Sequence, residues 1–80
     1  MNRQELLAVV MATLRSIAPE VDEGELVAAQ PLREQVDLDS MDWLNFLIGL
    51  HRELKVEIPE ADYAKLRTLD ELLDYLQAKG

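Results

Sequence analysis

The chain has no cysteine and a single histidine, His51. Disulfides are therefore excluded, as is a structural metal site built from cysteine and histidine. Basic residues are also scarce. Eight Lys and Arg face sixteen Asp and Glu, giving a formal charge of −8, and the eight are scattered along the chain. Phosphates would be repelled, which argues against nucleic acid as a partner. Acidity of this order keeps a small protein soluble, and it also steers a domain toward basic surfaces on protein partners. Long apolar runs are missing too. The longest, LLAVVMATL at 6–14, falls well short of the ~20 residues that a membrane span needs. Glu5 comes two residues after the lone Arg3 and the segment has helical periodicity, so a signal peptide fits poorly. These absences leave an intracellular, cytoplasmic protein with no membrane insertion.

Eighty residues make one domain, expected over 1–80. So short a chain buries little more than half of its unfolded surface, and without staples it must rely on an efficient apolar core. The 49% hydrophobic content suits that need. Leu and Ala dominate it and β-branched residues are few, which favours helices.

Leu6, Val9, Val10, Leu14 and Ile17 recur at three- and four-residue spacing, predicting a first helix over 3–17 with Asn2 as its cap. Pro19 stops it. Residues 18–38 then hold Pro19, Gly24 and Pro31 among short apolar pieces, an awkwardly long connection unless parts of it are helical. A second main helix is predicted from about Ser40 to Leu54. VEIP at 56–59 reads as an extended link, and EADYAKL at 60–66 as one short helix opened by Pro59. Thr68 and Glu71 form a capping-box pattern ahead of Leu69, Leu72, Leu73 and Leu76. There is no internal repeat and no low-complexity tract.

Ser40 poses the functional question, because it stands between Asp39 and Asp42 at the head of the second main helix. A nucleophilic serine needs a base within hydrogen-bond reach. His51 is eleven residues along the same helix, on nearly the same face but about 16 Å away. No G-x-S-x-G elbow is present either. Asp37 and Asp39 begin like a calcium loop, yet its sixth and twelfth positions hold Asp42 and Ile48 where glycine and glutamate are required. No metal site is expected and no catalysis.

With Asp39 as N-cap, its carboxylate accepts from the Asp42 amide, and Ser40 becomes the first helical residue with a hydroxyl not needed for capping. A serine bearing a phosphodiester would be comfortable there. An Asp-Ser pair before an apolar run is also how an ordinary helix starts. The helical projection adds a second observation. Trp43, Phe46, Leu47, Leu50 and Leu54 form the core-facing stripe, while Met41, Leu44 and Ile48 form a second apolar stripe beside Ser40. Either this helix is buried around most of its circumference or the second stripe docks partners. In so small a chain docking is preferred.

The blocks D-S-M-D at 39–42, E-I-P-E at 57–60 and T-L-D-E-L-L-D-Y-L at 68–76, with the apolar helix between the first two, resemble an acyl carrier protein across essentially the whole chain. That resemblance implies an all-α four-helix bundle with a long loop between helices one and two and a short third helix. It implies that Ser40 receives 4′-phosphopantetheine from coenzyme A through a phosphopantetheinyl transferase. Cargo then rides as a thioester on the arm, so that a chain without cysteine takes its sulfur from the cofactor. It further implies that Asp39 and Asp42, with Met41, Leu44 and Ile48, meet the transferase and the acyl- or aminoacyl-loading and processing enzymes. The chain is expected to act as a free-standing monomeric carrier; an aminoacyl or peptidyl carrier of nonribosomal synthesis and an unmodified helical interaction module are the alternatives.

Several positions depart from the family pattern. Asp37 stands where a glycine is usual, three residues before the serine, and Asn45, His51 and Arg52 replace frequent acids. These departures point to a specialised pathway of lipid or secondary-metabolite biosynthesis with its own enzymes. Trp43 is bulky for a place near the entry of cargo into the bundle, so long acyl chains are expected to be poorly sequestered.

Overall fold

The computed structural model describes residues 2–79. Helix α1 runs over Arg3–Ile17 and opens with a full capping box: the Asn2 side chain accepts from the Glu5 amide at 2.8 Å, while the Asn2 amide donates to the Glu5 carboxylate at 3.4 Å. Leu6, Val10 and Leu14 are buried as the spacing predicts, with Val9 and Ile17 half-buried at the edges of that face. Met11 and Thr13 are buried as well.

The long connection is not a plain loop. A 3₁₀ turn at Glu23–Glu25 is capped by Asp22, and a five-residue helix, α2, spans Leu32–Val36. Pro31 fixes the entry to α2, and Asp37 ends it in the left-handed region at φ 57°, ψ 47°. Gln35 stitches the connection to itself. Its side-chain carbonyl accepts from the Val27 amide at 2.7 Å, and its amide donates to the Val27 and Gln30 carbonyls at 2.8 and 3.0 Å. Backbone bonds from Leu32 to the Arg67 carbonyl and from Asp70 to the Ala28 carbonyl then fasten it to the start of the last helix.

Helix α3 occupies Ser40–Leu54, the bounds read from the sequence. The short helix expected over 60–66 is 3₁₀ in kind, spanning Glu60–Lys65. After Pro59 the chain closes i→i+3 bonds, Asp62 to Pro59 and Leu66 to Tyr63, and Leu66 then drops into the core. Helix α4 covers Leu69–Lys79, and Thr68 and Glu71 exchange the two capping-box bonds at 3.1 Å. Helix α1 packs against both α3 and α4. The core is filled mostly by leucines from these three helices, with Phe46 the largest fully buried side chain.

Gly49 has a packing reason. A Cβ built there would lie 2.8 Å from Thr13 Cγ2 on α1. Thr13 has little freedom to yield, because it is buried and its hydroxyl donates to the Val9 carbonyl at 2.9 Å. Gly49→Ala gains about 1 kcal/mol of helix propensity but meets an overpacking cost of ~1–3 kcal/mol, so a net loss is expected. In a Thr13→Ser background the offending methyl is gone and the hydrogen bond kept. The same substitution is then expected to stabilise, and urea unfolding of the four proteins reads this reversal of sign.

The Tyr75 hydroxyl donates to the Asp62 carboxylate at 2.7 Å, joining α4 to the 3₁₀ segment, with Lys65 3.3 Å from the other carboxylate oxygen. The Tyr75 bond, and then Lys65, hold the Asp62 carboxyl below its ordinary range. Burial, and then Asp62, push Tyr75 up to about 12. For Asp62 the stabilisation is present above the unfolded carboxylate value near ~4 and is lost as pH falls through the lower folded value. For Tyr75 it is present below about pH 10 and is lost as pH rises toward the folded value. Tyr75→Phe is therefore expected to be less stable than the parent near neutrality, with the gap closing at both extremes. Urea unfolding at about pH 3, 7 and 11 tests this window.

Candidate functional site: the serine at the head of helix α3

Asp39 is the N-cap of α3. Its carboxylate accepts from the Asp42 amide at 2.8 Å and its carbonyl from the Trp43 amide at 3.0 Å. Capping is thus complete without Ser40, which is the first helical residue and is exposed. The other serine, Ser16, spends its hydroxyl on the Thr13 carbonyl of its own helix at 2.6 Å. Ser40 Oγ instead accepts from the Arg33 guanidinium, at a long 3.4 Å.

Arg33 was not singled out in the sequence, since only a helical α2 brings it here. The left-handed turn at Asp37 folds the chain back so that the Leu38 amide reaches the Arg33 carbonyl at 3.2 Å. The position where the family usually has glycine is therefore one that favours glycine. Aspartate is among the few other residues that visit this region readily.

The structure brings the second apolar stripe to the surface as expected. Met41 is 70% exposed and Leu44 and Ile48 are each 41% exposed, on the same helix as Ser40. Trp43, Phe46, Leu47 and Leu50 face inward and are buried, with Leu54 half-buried at the helix end. Asn45, His51 and Arg52 are exposed. His51 is tied locally, its Nδ1–H donating to the Val56 carbonyl at 2.9 Å across the left-handed Lys55 that ends the helix.

The Trp43 ring lies 5.2 Å from that of Phe46, tilted by 40°. It forms one wall of a cleft of about 540 Å³ that Arg33, Leu38, Tyr63, Leu66 and Arg67 also line. Among the described residues the Ser40 hydroxyl has the Arg33 guanidinium, and no base, as its side-chain hydrogen-bond partner. An exposed serine oxygen beside a guanidinium fits a phosphodiester-linked cofactor. Among the described residues no helix is long and apolar enough to cross a membrane.

Comparison with known proteins agrees with that chemistry. A family model described as the phosphopantetheine attachment site matches residues 8–76. Over 79 residues the chain is 32% identical to an acyl carrier protein of Thermosynechococcus vestitus, covering 99% of this chain and 96% of that one. It is 29% identical over 76 residues to an acyl carrier protein of Rubrobacter xylanophilus, covering 95% and 93%. The solution structure of an Anaplasma phagocytophilum protein assigned as an acyl carrier protein superposes with a TM-score of 0.85 at 25% identity, over all of this chain and 93% of that one. Fold and sequence thus agree with the chemistry of an unactivated, exposed serine: the chain belongs to the acyl carrier protein family, an all-α, non-catalytic carrier of the phosphopantetheine-binding type.

Proposed function

We propose that Ser40 is the attachment point of 4′-phosphopantetheine and that residues 1–80 work as one carrier domain. A transferase would join the Ser40 oxygen to the pantetheine-bearing phosphorus of coenzyme A. The bond from that phosphorus to the adenosine bisphosphate half breaks, and the hydroxyl proton leaves to a base on the transferase. The arm supplies the thiol that holds cargo as a thioester. The relatives' own description as acyl carriers supports an acyl rather than an aminoacyl cargo. Asp39, Met41, Asp42, Leu44 and Ile48 make the surface that partner enzymes read, apolar contact from the three exposed side chains and acidic steering from the two carboxylates. A specialised pathway is favoured, because Asn45, His51 and Arg52 thin the acidic charge further along α3.

The observation that carries this reading is the Ser40 hydroxyl, exposed and released from capping by Asp39. Intact mass after incubation with coenzyme A and a broad-specificity phosphopantetheinyl transferase tests it. One added phosphopantetheine is expected on the parent and none on Ser40→Ala; equal labelling of both, or no labelling of a folded parent beside a working control carrier, would refute it.

A further inference from the structure

Among the described residues Arg33 takes no part in the fold's charge pairing. Among the described residues its guanidinium makes no ion pair, although acids outnumber bases two to one, and its side chain's polar partner is Ser40 Oγ. A hydroxyl is a weak acceptor and 3.4 Å is a long contact. The same oxygen, once esterified, carries a phosphodiester with a full negative charge and two further acceptor oxygens. A guanidinium fork then forms shorter, charge-assisted bonds at ~2.7–2.9 Å, two at once where geometry permits. We infer that Arg33 is the binding residue for the phosphodiester on Ser40, holding the base of the arm against α2.

This inference rests on Ser40 being the modified residue. Its physical cause is the local charge. Modification adds an anion next to Asp39 and Asp42, in a chain that already carries −8. Without a neighbouring cation, that addition would load the start of α3 with like charge. Arg33 cancels it within one residue's reach. Because Arg33 also lines the cleft that Trp43 and Tyr63 wall, an arm held by its phosphate at Arg33 begins beside that cleft rather than in open solvent. Modification also changes what partners meet. The unmodified protein shows a free cation next to its acidic docking residues, and the modified protein shows one that is neutralised. An enzyme that must find unmodified protein and one that must find the loaded arm therefore meet different charge at the same face.

Melting of the unmodified and modified forms of the parent, Arg33→Gln and Arg33→Lys tests the inference, with intact mass confirming each form. In the parent, modification is expected to leave the Tm unchanged or raise it. In Arg33→Gln it is expected to lower Tm by ~2–5 °C, although the two unmodified proteins melt close together. Arg33→Lys keeps the charge without the fork and should fall between. The difference should shrink at about 1 M salt. The ³¹P resonance of the modified protein gives a second readout, displaced in the folded parent from that of the same phosphodiester in urea-unfolded protein and returning toward it in folded Arg33→Gln. Equal Tm changes on modification in all three backgrounds, with an unmoved ³¹P signal, would overturn the role of Arg33 while leaving Ser40 as the carrier serine. A parent that gains no mass would overturn both.

Discussion

Replacing Phe46 with alanine is expected to destabilise the domain by about 3–5 kcal/mol. Phe46 is the largest fully buried side chain, on the inward stripe of α3 with its ring against Trp43. An 80-residue domain holds only ~4–12 kcal/mol in total, and this one has no disulfide to limit its unfolded state. The substitution should therefore leave a large fraction of molecules unfolded in mild urea. Phe46→Leu keeps most of the volume and should cost about 1–1.5 kcal/mol. Trp43 is the single tryptophan of the chain and is buried against the mutated ring, so its fluorescence follows the unfolding directly. Because the same helix carries Ser40 at its first turn, the alanine variant is also expected to be a poor transferase substrate at temperatures where it is partly unfolded. The leucine variant should regain that function along with its stability.

The exposed stripe predicts the opposite pairing of effects. Leu44→Gln combined with Ile48→Gln should shift Tm by a few degrees at most, since both side chains are already well exposed. Transfer of phosphopantetheine to the double variant should nevertheless slow about a hundredfold in kcat/KM, if each anchor contributes ~1–2 kcal/mol at a partner interface. Unchanged kinetics would assign these residues to nothing more than a solvated helix face. Asp39 and Asp42 act by charge, so their part of the interaction should weaken as salt rises, whereas the apolar part should not. Running the parent and double variant at two ionic strengths separates the two contributions.

The elements that the sequence revealed are those whose signals are local. Helices α1, α3 and α4 each follow a polar cap, Asn2, Asp39 and Thr68, whose bonding partner lies three residues ahead. Each is long enough for its apolar spacing to be read. Helix α2 has five residues, less than two turns, so periodicity carries no information there. Its boundaries come from a proline at one end and a left-handed aspartate at the other. The order in the long connection comes from Gln35 bonding across to Val27 and from backbone bonds to the start of α4, which no local pattern announces. Tyr75 and Asp62, thirteen residues apart, find each other only through packing.

The site divides along the same line. Ser40, its acidic neighbours and the second apolar stripe were legible because they share one helix, where spacing alone fixes relative position. The stripe was informative because a small bundle has no second partner for it. Arg33 was not legible, since it depends on a short helix and a left-handed turn placing a side chain from seven residues upstream. The reason for a glycine at position 49 lies on another helix, at the Thr13 methyl of α1, where no local pattern shows it.

Fragmentation of the modified protein to locate the added group tests the central claim most directly. The chain contains two serines, and Ser16 serves as an internal control because its hydroxyl is bound to its own helix. The account predicts that every fragment ion carrying phosphopantetheine includes Ser40, with Ser16 unmodified. Phosphopantetheine found on any other residue would contradict it.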